Sequence, residues 1–351
     1  MQLFRILLAL IVLLLPLHVW ADGAVMEDRL RADFAAGKLG GLHSVLVLKD
    51  DQTFAEVHFK GQDWAWGDDL GVRQHGPETL HDLRSVTKSI VSLLYGIALG
   101  EGKVPPVDAS LYAQFPEYPD LAADPERAGI TIEDALTMRM GLKWDESGAY
   151  VDSRNSEIAM EMATDRYRYV LDQPIVGPPG EAWNYSGGAT VLIGRLIEKG
   201  TGMRLDAFAE EKLFSPLGIT EAGWNGRTEA EPSAASGLRL SANSLAKIGR
   251  MIIANGVVDG VQIVPADWLE WSMSPHTGNS QMRYGYFWWM LPGEGKPPFV
   301  AALGNGGQRF SINPGARLVF VSLAGNYNQK DDWHLPLTVI RQYLGPALSG
   351  N

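Results

Sequence analysis

Cysteine is absent from this 351-residue chain. That excludes disulfides, thiol nucleophiles and cysteine-ligated metals together, so stability must come from core packing. The seven histidines show no His-Glu-x-x-His or comparable ligand spacing, so neither a metal nor a cofactor is expected. Gly-x-Ser-x-Gly is missing too, which removes one common serine-nucleophile turn. Positive charge is in deficit: 30 Lys and Arg stand against 41 Asp and Glu, a net charge of −11 with no basic stripe. An acidic surface of that kind repels nucleic-acid backbones. Adjacent acids at Asp145-Glu146, after Trp144, read as a solvated loop rather than a catalytic carboxylate pair. No internal repeat or low-complexity stretch occurs.

What is present is ordinary globular composition, with 46% apolar and 20% charged residues. The start of the chain has the pattern of an export signal. Arg5 precedes an apolar run, Ile6–Leu17, and Val19-Trp20-Ala21 supplies the small residues of a cleavage site. The run is short for a membrane span, so residues 1–21 read as a signal peptide cut after Ala21. Retention as an uncleaved anchor is the alternative. The mature form is then periplasmic or secreted, with no membrane segment.

Hydrophobic periodicity places helices at Ala24–Lys38, Ser85–Leu99, Ala189–Lys199, Leu245–Ile253 and Trp333–Tyr343. The helix after Ser85 is apolar around most of its circumference, which marks it as buried. Ser44–Lys49 and Thr53–Phe59 read as a hairpin. Phe310–Ile312 and Leu318–Leu323 read as another, joined at Asn313-Pro314-Gly315-Ala316 by a type II turn. Strands at both ends with helices between predict an α/β (α+β) layered fold in residues 22–351. Its sheet lobe comprises about 22–84 and 235–351, and a helical lobe of about 85–234 is inserted.

Ser85-Val86-Thr87-Lys88 opens the buried helix with Ser-x-x-Lys. Residues three apart on a helix are neighbours, with Cβ atoms about 5–6 Å apart. A serine hydroxyl needs a proton acceptor to become a nucleophile, and lysine serves only as the neutral amine, which burial favours. The helix N-terminus favours an oxyanion, and the Ser85 N–H could supply half of an oxyanion hole. The competing reading makes Ser85 a helix cap and Lys88 a solvated charge. The same pattern recurs at Ser244–Lys247, where Ser244 reads as a cap.

Three segments in order, Ser85-x-x-Lys88, Trp183-Asn184-Tyr185-Ser186-Gly187-Gly188 and Leu303-Gly304-Asn305-Gly306-Gly307-Gln308, resemble the motifs of β-lactamase-related serine hydrolases. That group includes class C β-lactamases, D-alanyl-D-alanine carboxypeptidases, esterases and linear-amide (aminohexanoate-oligomer) hydrolases. Leu213–Ile219, Ala235–Leu240 and Tyr284–Trp289 look like further family blocks, so the resemblance covers nearly the whole mature chain. It implies a β-lactamase/transpeptidase-like fold with a mostly antiparallel central sheet. It also implies Tyr185 as second catalytic partner, relaying a proton to the leaving group, and Gly307 or Gln308 as the second backbone oxyanion donor. The family's Tyr-x-Asn reads Tyr185-Ser186-Gly187 here, and Lys-Thr-Gly is absent, which removes the usual partner of a β-lactam carboxylate. His276-Thr277-Gly278 reads as a loop. Trp288 and Trp289 are candidates to line an apolar pocket. The implied activity is hydrolysis of a small ester or linear amide through a Ser85 acyl-enzyme. The alternatives are a D-Ala-D-Ala carboxypeptidase or weak β-lactamase, or a non-catalytic penicillin-binding-like protein.

Overall fold

Runs rich in Val, Leu and Phe at both chain ends pair with each other. In the computed structural model, which describes residues 22–228, 231–278, 282–291 and 299–349, β1 (Leu42–Lys49) lies antiparallel to β8 (Leu318–Ala324), with Leu46 opposite Val321. β1 also pairs with β2 (Gln52–His58) as the expected hairpin. The other strands are β3 (Thr277–Gly278), β4 (Arg283–Tyr284), β5 (Trp289–Leu291), β6 (Phe299–Gly304) and β7 (Gln308–Asn313). They complete an eight-stranded sheet of order β3-β4-β5-β6-β7-β8-β1-β2, antiparallel throughout. The expected signal segment 1–21 lies outside the described residues.

Both faces of the sheet are covered, and strand alternation decides which residue faces which layer. Val45, Val47 and Phe320 pack with Met26 and Leu30 of the N-terminal helix α1 (residues 22–35) and with Val339 and Tyr343 near the C-terminus. Leu46, Leu48, Val319 and Val321 face the opposite way, into the core of α2 (Val86–Gly100) and the helical lobe. That lobe includes α3 (Ser156–Met162) and α4 (Gly187–Thr201), while α5 (Ala242–Ile253) packs back on β8 and β1.

Three local expectations are corrected. The β7–β8 connection is a 3-10 turn over Pro314–Ala316, capped by Asn313, whose Oδ1 accepts from the Ala316 N–H at 3.0 Å. Arg317, not Gly315, takes the left-handed conformation (φ 48°), so the turn is not type II. The cap of α5 is Ser241; Ser244 sits inside the helix, donating its N–H to Ser241 Oγ. Thr277 and Gly278 form an edge strand of the sheet instead of a loop, because Thr277 pairs with Tyr284.

Thirteen consecutive residues of α2, from Val86 to Ala98, are buried, so this helix is fixed from every side. Gly96 is where Trp268 crosses it: a Cβ there would overlap the indole, whose Nε1 donates to Ser92 O at 2.9 Å. Gly96→Ala gains about 1 kcal/mol of helix propensity but overpacks a rigid contact at a cost of about 1–3 kcal/mol. Denaturant unfolding should therefore show a net loss of stability; an increase would mean that Trp268 moves aside freely.

Candidate active site

The chain reaches Ser85 along an edge strand paired with Leu238–Leu240. His81–Asp82 pairs with Arg239–Leu240, and the Leu83 N–H donates to Leu238 O at 2.9 Å. Arg84 then takes a left-handed conformation, φ 50°. For a residue with a Cβ this costs about 1–3 kcal/mol. The surroundings hold it: the guanidinium pairs with buried Asp82 at 3.3 Å and lies over the rings of Trp66 and Tyr327. Ser85 follows at the N-terminus of α2, and its side chain makes no capping hydrogen bond. The capping reading of Ser85 therefore fails.

Lys88, one turn on, is 1% exposed. Its Nζ donates to Ser85 Oγ at 3.2 Å, to Ala235 O at 2.9 Å and to Glu157 Oε2 at 3.3 Å. Tyr185 joins the same group: its ring centroid is 5.1 Å from Lys88 Nζ, and the Ser85 side chain is among the groups that act on its phenol. The structure thus brings together Ser85, Lys88 and Tyr185 from positions 100 residues apart.

The charge state of Lys88 departs from the sequence reading. Burial does disfavour the ammonium, but Glu157, Tyr185 and Glu146 together outweigh it, and the pKa rises above the usual lysine value. Burial pushes the Tyr185 phenol up, opposed by the Lys88 charge. At rest Lys88 is therefore an ammonium.

The sequence reading did not single out Glu157 and took Glu146 for part of a solvated loop. Glu157 enters from α3, whose N-cap Asn155 accepts from the Glu157 N–H at 2.9 Å; its second oxygen accepts from Ser236 at 2.7 Å. A Cβ at Gly187 would overlap Glu157 Oε2. The space into which a side chain at position 187 would project is thus filled by a carboxylate from another helix, which accounts for Gly187 where the family has Asn. Glu146 is not part of a solvated pair. Asp145 is exposed, but Glu146 turns inward, where its Oε1 accepts from Gly187 N and Trp144 Nε1 at 2.6 Å each. Its Oε2 accepts from Tyr150 at 2.9 Å. The glycine at 187 was the one available signal for such a neighbour.

Ser85 opens onto a cleft of about 510 Å³ whose walls include Trp66, Tyr150, Met162, Arg227 and Asn305. The glycine-rich segment turns there, with Gly306 and Gly307 both at positive φ. Gly307 and Gln308 do not line the cleft. The Gly306 N–H donates to the Asp332 carboxylate, and the Gln308 side chain is tied to Ala324 of β8. Asn305 lines the cleft along with Ser85 instead, and Gly304 packs against Leu83 so closely that a Cβ would overlap its carbonyl oxygen. Of the two tryptophans, Trp288 is fully buried. Trp289 stacks on Tyr185, centroids 5.8 Å apart, and borders a second hollow with Trp183 and Met282.

Burial, then the nearby charge of Glu157, pushes the Glu146 carboxyl up to about 7. A carboxyl whose pKa is raised on folding contributes stability below its unfolded value, and that contribution is lost as pH rises through the folded one. Wild type should thus lose stability between about pH 4.5 and 7. Glu146→Gln, measured by Tm across that range, should flatten the decline; an unchanged slope would place the titration elsewhere.

The family model described as Beta-lactamase matches residues 28–337. The chain is 22% identical over 305 residues to the 6-aminohexanoate-dimer hydrolase of Paenarthrobacter ureafaciens, covering 80% of this chain and 71% of that one. It is 29% identical over 162 residues to esterase EstB of Burkholderia gladioli, covering 44% of this chain and 40% of the esterase. The chain thus matches less than half the length of that esterase. In fold it is similar to the octameric penicillin-binding protein homologue of Pyrococcus abyssi, with a TM-score of 0.67 at 20% identity over 92% of this chain and 77% of that one. The family match runs from the N-terminal helix through β8 and takes in Ser85, Lys88, Glu157 and Tyr185, so the chain belongs to the Beta-lactamase family.

Proposed function

We propose that this protein is an exported serine hydrolase that cleaves an ester or amide bond through an acyl-enzyme on Ser85, with residues 1–21 as the export signal. One observation carries the reading: an uncapped Ser85 hydroxyl stands 3.2 Å from the buried Lys88 amine at the mouth of a cleft.

An ammonium takes no proton, so the proton on Lys88 moves first. Glu157 is the acceptor within reach at 3.3 Å. Substrate that expels water from the cleft favours a neutral acid–amine pair over the ion pair. The freed amine takes the Ser85 proton while Oγ bonds to the carbonyl carbon. The oxyanion is held by the Ser85 N–H and by the backbone at the end of β6, which we place at Asn305 and not at Gly307 or Gln308. Tyr185 gives its proton to the departing oxygen or nitrogen as the carbon–leaving-group bond breaks. Water then attacks the acyl-enzyme by the reverse proton path and releases the acid.

The kinship with an esterase and a linear-amide hydrolase supports the ester or amide class. The missing Lys-Thr-Gly disfavours a β-lactam, whose carboxylate would lack its usual cation. The aromatic walls, Trp66 and Tyr150, suit an acyl or leaving group with apolar surface.

Two measurements test this. A fluorophosphonate should add once to the wild-type chain by intact mass and not to Ser85→Ala; no adduct on wild type would favour the non-catalytic reading. Glu157→Gln removes the largest charge that raises the Lys88 pKa and leaves burial opposed only by Tyr185 and Glu146. The acid limb of kcat/KM against pH should then move down by about 1–3 units. An unmoved limb would show that Glu157 does not set the protonation of Lys88.

A further inference from the structure

We propose that His43, His75 and His81 form a site for one divalent transition-metal ion, behind the strand that carries the nucleophile. Three separate segments deliver them: His43 lies on β1, His75 just after the hairpin of Lys60–Ala65 with Asp68–Gln74, and His81 four residues before Ser85. Their rings converge, with centroids 3.8 Å apart for His43–His75, 4.8 Å for His75–His81 and 5.2 Å for His43–His81. One ring nitrogen from each lies within 4.8 Å of the other two. All three residues are at most 2% exposed.

The hydrogen bonding is what a ligand set needs. His81 Nδ1 is 2.9 Å from Thr79 O, so the ring donates to a backbone carbonyl there and its lone pair falls on Nε2. That is how metal-binding imidazoles are oriented. His81 Nε2 makes no hydrogen bond, and neither does any of the four ring nitrogens of His43 and His75, although the Gln62 backbone lies near His43 and the Gly61 backbone near His75. Burial disfavours the charged form of all three, leaving the neutral imidazoles that bind metal. Gly61 and Gly325 press on the His43 ring so closely that a Cβ at either would overlap it, so the ring is held in place. Buried Asp63 faces His75 and supplies negative charge nearby.

Tetrahedral coordination with bonds of about 2.0–2.1 Å places nitrogens about 3.4 Å apart, with the ion in the plane of each ring. His75, stacked on the fixed His43 with planes 15° apart, must therefore turn out of the stack as the ion binds. Three imidazoles without thiolate suit Zn²⁺, Co²⁺, Ni²⁺ or Cu²⁺ and not Mg²⁺ or Ca²⁺. The cluster is buried and none of its members lines the cleft beside Ser85. Its role is structural: it ties β1 and the hairpin to the segment leading into Ser85.

The test uses tag-free, chelator-treated protein incubated with Co²⁺. Wild type should retain one equivalent through gel filtration, show visible bands of nitrogen-ligated Co²⁺ that Zn²⁺ abolishes, and gain Tm with either ion. His75→Phe, which keeps a ring in the stack, should lose the bands and the Tm gain, while His276→Ala, outside the cluster, should keep both. Retention of the bands by His75→Phe would overturn the proposal. So would a folded wild type that holds no metal, in which case buried water satisfies the nitrogens. If His75→Phe fails to fold, the wild-type stoichiometry and spectrum decide alone.

Discussion

A lysine ammonium buried to 1% exposure is the constraint around which the candidate active site is arranged. Charge at that depth is tolerated only when paired and hydrogen-bonded. The Ala235 carbonyl and the Glu157 carboxylate meet that need, and Glu157 in turn requires the Ser236 hydroxyl. Glu157 also fixes what can stand at position 187, where only glycine leaves it room. The Gly187 N–H then becomes a donor to Glu146, whose burial raises its own carboxyl pKa. From one buried cation, five positions on four segments of the chain follow.

The placement of Ser85 depends on a different kind of restraint. Arg84 adopts a conformation that is costly for a residue with a side chain, and it does so directly before Ser85. Asp82, Trp66 and Tyr327 grip the guanidinium, so the strain is held by contacts instead of relaxing. The strand before it is anchored by Leu238–Leu240 and flanked by the three-histidine cluster. The Ser85 hydroxyl can therefore stand clear of the backbone N–H groups that a serine at a helix start would ordinarily bind.

Much of the fold was legible from local pattern. The hairpin of β1 and β2, the buried α2 and the helices α4 and α5 followed from apolar spacing, because strand and helix periods differ. The readings that failed share one cause, competition between neighbouring residues for the same role. Ser241 took the cap that Ser244 could have made. Asn313 and Arg317 formed the turn that Pro314-Gly315 suggested. Thr277 found a strand partner in Tyr284 and ceased to be a loop.

The sequence by itself singled out Ser85, Lys88 and Tyr185 as the candidate set, since Ser-x-x-Lys spacing on a buried helix and the ordered family motifs are local properties. It also determined that both chain ends build the sheet. Only the tertiary structure decided the charge on Lys88, because the carboxylate chiefly responsible lies 69 positions away on another helix. It likewise turned Glu146 inward and Asp145 outward, placed Asn305 at the cleft, and gathered three scattered histidines into one buried cluster. Electrostatics and desolvation act through space, and no spacing along the chain records which distant group will share a cavity.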